Sequence, residues 1–149
     1  MIAGLKHILL AEDNPNDLEL TLAALQQHRV ANEVAVVRDG AEVLDYLYRR
    51  GDYAGRVGPQ PVLLLLDLKM PKVDGLEVLK QIKSDAALKG MPVVMLTSSR
   101  QESDLVRSYD LGVNGYVVKP VDFTEFMEAV RQIGAFWAVI NEVPPAARP

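Results

Sequence analysis

Short apolar runs alternate along the chain with longer segments in which apolar residues recur every three or four positions. The short runs are strand-like, and they lie at residues 7–11, 33–37, 62–66, 92–97 and 115–120. The third run, VLLLL, is apolar throughout, as in strands that are buried on both faces of a parallel sheet. Each longer segment has the spacing of an amphipathic helix, and the last one predicts a long helix over residues 122–143.

Strand and helix alternate five times, which predicts an α/β domain of the (βα)5 type. The chain is expected to form a doubly wound, five-stranded parallel sheet with helices on both faces. Neither a repeat nor a linker interrupts the pattern, so residues 1–149 are interpreted as a single domain. Its core is expected at residues 5–135, with a C-terminal extension at residues 136–149.

Composition and charge narrow the class of protein. The 149 residues are 49% hydrophobic and 24% charged, close to the average of soluble globular domains. There is no cysteine, which excludes disulfide and thiolate chemistry and favours a cytoplasmic protein. The net charge of −4 comes without a basic block, so binding to nucleic acid is not expected. No apolar run reaches the roughly 20 residues that are needed to cross a membrane.

Polar and charged residues stand where four of the five predicted strands end. Glu12 and Asp13 follow the first strand, Asp67 the third, Thr97 ends the fourth and Lys119 follows the fifth. The carboxyl ends of parallel strands share one edge of the sheet, where ligands of such folds bind. Three carboxylates beside one lysine favour Mg²⁺ or Mn²⁺. We call this edge of the sheet, with its five polar residues, the rim. With the metal bound, the rim could hold a phosphoryl group, and Asp67 could act as its nucleophilic acceptor.

Four motifs carry a family resemblance. AEDN, DLKMPKVDG, LTSS and GYVVKP, at strands one, three, four and five, resemble the motifs of receiver domains in two-component response regulators. The resemblance covers nearly the whole chain. It implies a flavodoxin-like fold with strand order 2-1-3-4-5, and phosphorylation of Asp67 by the phosphohistidine of a sensor histidine kinase. The resemblance also implies a switch that signals to a partner or relay, and not an enzyme with turnover.

The same resemblance assigns roles to the residues at the rim. It implies that the metal is held by Glu12, Asp13, Asp67 and the backbone carbonyl of Lys69. Lys119 would contact the phosphoryl oxygens, Thr97 would swing towards them, and Tyr116 would rotate inward as the second switch residue. The Lys119–Pro120 bond is expected to be cis. Many receivers have a neutral polar residue where this chain has Lys69, which leaves the phosphoryl lifetime open.

The C-terminal segment is unusually apolar. Phe136, Trp137 and Ile140, with their neighbours, would cover nearly all sides of a helix, and such a helix is normally buried. This pattern predicts a closed homodimer in which the tails pack on the partner; the alternative is a tail that folds back on its own domain. The loop at 51–61 and this tail also resemble the single-domain regulators that accompany bacterial phytochromes, which implies a bacteriophytochrome kinase as partner.

Three other functions compete with the phosphorylated switch. A phosphatase or phosphotransferase with an aspartate nucleophile usually has a second aspartate two residues further on, which acts as a general acid. This chain has Lys69 at that position, which counts against turnover. A flavodoxin-type electron carrier would need a Ser-, Thr- and Gly-rich loop where this chain has the acidic AEDNPND. A scaffold that binds its partner constitutively stays open.

His7 and His28 lie outside the rim and are interpreted as surface residues.

Overall fold

Parallel strands alternate with helices throughout the part of the chain that the structure describes. The computed structural model describes residues 7–27 and 33–134. Its elements are β1 (His7–Ala11), α1 (Pro15–Gln27), β2 (Glu33–Val37), α2 (Gly40–Tyr48), a 3-10 turn (Gly51–Tyr53), β3 (Leu63–Leu66), α3 (Gly75–Ser84), β4 (Val93–Thr97), α4 (Glu102–Asp110), β5 (Gly115–Val118) and α5 (Phe123–Gln132). The five strands pair in parallel in the order β2-β1-β3-β4-β5. The predicted doubly wound fold and strand order are therefore confirmed.

The sheet separates two apolar layers. Side chains alternate along β3, so Leu64 and Leu66 pack with α2 and α3, whereas Leu63 and Leu65 pack with α1 and α5. All four leucines are 0% exposed. Because β3 is buried on both faces, the residue that follows it is held on a rigid support. Among the described helices, none combines the length and the apolarity that crossing a bilayer requires.

A glycine allows α3 to pack closely against the end of β3. A Cβ atom on Gly75 would lie only 2.3 Å from the backbone oxygen of Asp67. Its amide donates a 2.7 Å hydrogen bond to the Leu68 carbonyl. Asp74 caps the helix by accepting a 2.9 Å bond from the amide of Glu77. These contacts set the path of the backbone immediately after Asp67.

The last helix is shorter than the sequence pattern predicts. We expected one helix over residues 122–143, but α5 ends at Gln132. Gly134 follows in the left-handed conformation, with φ of +74°, which glycine adopts without steric penalty and which commonly ends helices. The continuous helix was therefore a wrong prediction. Phe136, Trp137 and Ile140 lie outside the described residues.

His7 is buried, which corrects its interpretation as a surface residue. It begins β1, is 8% exposed, and its Nε2 lies 2.9 Å from the hydroxyl of Tyr46 on α2. The two rings meet edge to face, with centroids 6.2 Å apart. The sequence pattern missed this because the partner comes from another element. His28 lies outside the described residues.

Two arginines hold the Gly- and Pro-rich loop after α2: Arg49 donates to two of its backbone carbonyls, and Arg56 binds back to the helix. The guanidinium carbon of Arg56 stands 4.0 Å from the ring centroid of Tyr46, and its Nε donates a 3.0 Å bond to the Tyr46 carbonyl. Arg56 also donates to the side chain of Gln60, which in turn donates a 2.8 Å bond to the carbonyl of Leu47. Polar bonds and ring stacking thus fix a loop that contributes little to the apolar core.

Candidate functional site

Three carboxylates meet at the carboxyl edge of the sheet. β1 and β3 are neighbours, so Glu12 and Asp13 after β1 come beside Asp67 after β3. One oxygen from each of the three carboxylates lies within 4.8 Å of the others. Glu12 and Asp67 are 1% and 7% exposed, whereas Asp13 faces solvent. The structure therefore brings together the acids that the strand ends predict.

Backbone hydrogen bonds continue past the strand ends and hold these residues in place. The amide of Glu12 donates a 3.0 Å hydrogen bond to the carbonyl of Val37, and the amide of Asp67 donates a 3.1 Å bond to the carbonyl of Ala11. After β5, the amide of Lys119 donates a 2.8 Å bond to the carbonyl of Thr97 on β4. The site is thus built on the ends of the sheet, where hydrogen bonds between strands hold the backbone rigidly.

The ammonium group of Lys119 lies among the acids. Its Nζ donates to a Glu12 oxygen, to Oδ2 of Asp17 at 3.1 Å and to Oδ2 of Asp67 at 3.3 Å. Lys119 is 9% exposed, and the Lys119–Pro120 bond is cis, as the resemblance predicts. The lysine expected at the phosphoryl group therefore stands beside the expected acceptor.

The cluster carries more negative than positive charge. Burial raises the pKa of Glu12 to about 7 against the lowering effect of the Lys119 hydrogen bond, and the nearby charge of Asp67 raises it further. Burial would lower the pKa of Lys119, but its hydrogen bond with Glu12 and the charges of Asp67 and Glu12 outweigh burial, so that its pKa is raised. One ammonium does not neutralise the three carboxylates that it contacts together with that of Asp13.

The donor set fits a divalent cation. The side-chain atoms available as metal ligands are carboxylate oxygens, which Mg²⁺ and Mn²⁺ prefer. Glu12, Asp13 and Asp67 could hold the metal together. The second oxygen of Glu12 accepts a 3.1 Å bond from the amide of Asn14, which orients the carboxylate. Lys69 lies two residues beyond Asp67, with an exposed side chain. A bound cation would offset the negative charge that a single lysine leaves.

The two predicted switch residues both contact Ser99, in the loop between β4 and α4. The hydroxyl of Thr97 accepts a 3.2 Å bond from the Ser99 amide, and the hydroxyl of Tyr116 donates 3.1 Å to the Ser99 carbonyl. The Ser99 hydroxyl donates 2.5 Å to Asp104 in the first turn of α4. Thr97 is 1% exposed, and Tyr116 is half-buried. A movement of this loop would therefore affect both switch residues and α4.

Sequence reasoning missed two acids at this end of the sheet. Asp17, in the first turn of α1, pairs with Lys119, and Asp104 binds Ser99. Acids are common in the first turn of a helix, because they complement its dipole, so neither stood out. The available signal was position: both helices begin at the edge of the sheet that carries the other acids.

Comparison with known proteins decides the family. Residues 8–131 match the model of the response regulator receiver domain family. The chain belongs to this family. As a receiver domain it accepts a phosphoryl group from a histidine kinase, and it is not an enzyme that turns over a substrate. The divalent metal site of receivers corresponds to the acidic pocket of Glu12, Asp13 and Asp67.

Three solved or curated proteins illustrate the similarity. The bacteriophytochrome response regulator AtBRR is 61% identical, with 93% of this chain and 99% of that chain covered and a TM-score of 0.84. The bacteriophytochrome response regulator RtBRR is 59% identical, with 96% and 86% covered and a TM-score of 0.83. Response regulator Rcp1 of Synechocystis sp. is 39% identical over 141 residues, which is 95% of each chain. Its Mn²⁺-bound structure matches with a TM-score of 0.74 over 93% of this chain and 99% of that one.

Proposed function

We propose that this chain is the response regulator of a bacteriophytochrome histidine kinase and that it is phosphorylated on Asp67. The observation that carries the choice of acceptor is the position of Asp67, 7% exposed at the end of β3 and 3.3 Å from the Lys119 ammonium. The choice of kinase is supported by the identities of 61% and 59% to two bacteriophytochrome response regulators. The transfer is proposed to take place in the cytoplasm.

The residues of the chain have distinct tasks in the transfer. An Asp67 carboxylate oxygen attacks the phosphorus of the kinase phosphohistidine; the new O–P bond forms while the N–P bond breaks, and the imidazole leaves. Lys119 neutralises charge on the transferred phosphoryl oxygens. When bound, a divalent cation supplies further positive charge at that position. It would be held by Glu12, Asp13, Asp67 and the backbone carbonyl of Lys69.

The switch follows from the contacts of the loop between β4 and α4. A phosphoryl group on Asp67 attracts the hydroxyl of Thr97 as a hydrogen-bond donor. As Thr97 moves, its 3.2 Å contact with the Ser99 amide lengthens, and the loop that holds Tyr116 is released to a second position. Phosphorylation thereby biases an equilibrium between two arrangements of this surface, which a partner distinguishes.

Intact mass after treatment with acetyl phosphate tests the acceptor. With Mg²⁺ we expect one phosphoryl adduct on the wild type, none on Asp67→Asn, and an unchanged adduct on the control Asp110→Asn. Addition of a chelator should prevent the adduct. If no adduct formed on the wild type under any condition, the constitutive scaffold would become the better explanation, because such a protein needs no phosphorylation to bind its partner.

Transfer from a kinase tests the proposed partner. A bacteriophytochrome autophosphorylated with radiolabelled ATP should pass its label to this chain faster than a histidine kinase without a phytochrome module does. Asp67→Asn should receive no label from either kinase. Equal rates from both kinases would remove the phytochrome assignment but leave the receiver function intact.

A homodimer through the C-terminal segment is a separate proposal. Its support is the apolar sequence around Phe136, Trp137 and Ile140, which would need a partner surface to be buried. Replacing Phe136 and Trp137 together by alanine should convert a dimer into a monomer in light scattering. The control is Val57→Ala, which shortens the side chain of a residue that is 84% exposed in the loop after α2. An unchanged dimer mass in the double variant would reject this interface.

A further inference from the structure

Asp17 is a fourth acid at the phosphorylation site that the transfer described above does not use. Its Oδ2 lies 3.1 Å from the Nζ of Lys119, which is slightly closer than the 3.3 Å of Asp67. It comes from α1, whereas the other acids follow β1 and β3. Its side chain is 35% exposed, compared with 9% for Asp67 and 1% for Glu12.

The hydrogen-bonding capacity of Lys119 is fully used by these acids. A lysine ammonium has three N–H donors, and here it has acceptors on Glu12, Asp17 and Asp67. A phosphoryl group on Asp67 also needs donors from this ammonium. The donor now bound to Asp67 passes to the phosphoryl group, and Lys119 can supply a second donor only if its bond to Glu12 or to Asp17 is weakened.

Burial indicates which bond is the easiest to give up. Glu12 is almost completely buried, so that separating it from Lys119 would leave a desolvated carboxylate without its cation. Asp17 is about one-third exposed, and water can solvate its carboxylate as soon as the ammonium moves away. The bond to Asp17 is therefore the one in direct competition with the phosphoryl group.

We propose that Asp17 is a positioning residue that draws Lys119 away from the phosphoryl group and so shortens the lifetime of the phosphorylated state. This inference rests on the proposed phosphorylation of Asp67. During dephosphorylation a water oxygen attacks phosphorus, the bond between Asp67 and phosphorus breaks, and inorganic phosphate leaves as the carboxylate is restored. When Lys119 is held partly by Asp17, it stabilises the acyl phosphate less, and its own charge is partly neutralised. The negative charge of Asp17 also repels the incoming phosphoryl group.

The matched substitutions are Asp17→Asn, Asp17→Glu and Glu19→Gln. Asn keeps the size of the side chain but removes its charge, and Glu restores a carboxylate at the same position. Glu19 is an exposed acid on the same helix, so Glu19→Gln makes the same change in net charge away from Lys119. All variants are compared at saturating Mg²⁺, so that a change in metal affinity does not alter the rates.

The experiment measures the rate of phosphorylation by acetyl phosphate and the rate of loss of the phosphoryl group after the donor is removed. For Asp17→Asn we expect phosphorylation to be about two- to fivefold faster and loss to be about two- to fivefold slower, the range for a partly exposed ion pair. Asp17→Glu should return both rates towards those of the wild type. Glu19→Gln should match the wild type. The midpoints of urea unfolding should be similar in all four proteins, which separates positioning from a loss of folding.

Three results would overturn the inference. The first is that Asp17→Asn has the rates of the wild type, and the second is that Glu19→Gln changes them equally, which would mean that only net charge matters. The third is slower phosphorylation with faster loss in Asp17→Asn, which would mean that Asp17 holds Lys119 in its productive position. In each case the wild type still forms its adduct, so the proposed function survives. A wild type without an adduct would reject both the function and the inference.

Discussion

The hydroxyl of Tyr116 donates a 3.1 Å hydrogen bond to the backbone carbonyl of Ser99. The amide of the same serine donates to Thr97, and its hydroxyl donates to Asp104 on α4. Ser99 therefore connects the end of β4, the side chain from β5 and the first turn of α4. If Asp67 is phosphorylated as proposed, these contacts link the residues beside it to an exposed helix.

Ser99→Ala should loosen the start of α4 without removing the backbone bonds to Thr97 and Tyr116. The hydroxyl of Ser99 donates 2.5 Å to Asp104 and accepts 3.3 Å from the amide of Gln101. Losing both bonds should lower the free energy of unfolding by about 0.5–1.5 kcal/mol and speed amide hydrogen exchange in the first turn of α4. Ser98→Ala, at the exposed neighbouring position, is the control. Equal exchange in the two variants would contradict this role for the Ser99 hydroxyl.

Gly75→Ala should destabilise the protein and disturb the backbone at Asp67, the proposed acceptor. Its new Cβ would lie 2.3 Å from the Asp67 carbonyl oxygen and 2.7 Å from the Cα of Leu68, and both atoms belong to the backbone. We expect a loss of about 1–3 kcal/mol in urea unfolding and slower phosphorylation by acetyl phosphate. Gly90→Ala is the control, because no atom lies within 4 Å of the added carbon there. Similar unfolding midpoints for both variants would show that the turn before α3 can relax.

Arg56→Ala should destabilise the loop that follows α2. It removes the bonds to the Tyr46 carbonyl and the Gln60 side chain, together with the stacking on the Tyr46 ring. We expect a loss of about 1–2 kcal/mol in unfolding free energy, and little recovery in Arg56→Lys, because an ammonium cannot reproduce the planar guanidinium. Arg100→Ala, at an exposed position after β4, should change stability much less. Full recovery by lysine would assign the effect to charge alone.

The stability of the metal-free protein should depend on pH through Glu12. Its carboxyl has a pKa of about 7 in the folded protein, against an ordinary value of 4.5. Between these values the folded state holds a proton that the unfolded chain has lost. The contribution of Glu12 to stability is therefore complete below the unfolded pKa and is lost as the pH rises through the folded pKa.

Urea unfolding in the presence of a chelator, from about pH 5 to pH 8, measures this dependence. The wild type should lose stability as the pH rises, and Glu12→Gln should lose less over the same range. Mg²⁺ should restore stability most at the upper end of the range, because it binds the deprotonated carboxylate. Parallel pH profiles for the two proteins would assign the titration to another group.

Local pattern was sufficient to predict the sheet and most of the rim. Apolar runs of strand length, each followed by a helical segment, predict parallel strands, and the ends of parallel strands share one edge. For this reason the sequence alone places Glu12, Asp13, Asp67, Thr97 and Lys119 together. The family motifs at the same positions then gave the strand order and the cis bond before Pro120.

Only the tertiary structure decided which side chains pair across the fold. Asp17 and Lys119 are 102 positions apart, and their contact depends on how α1 lies against the end of β5. His7 could not be recognised as buried, because Tyr46 comes from a different element, and α5 stops at Gln132 although its apolar pattern continues. Periodicity predicts which face of a single helix or strand is buried. These contacts depend on how several elements pack together, and no local spacing in the sequence indicates that packing.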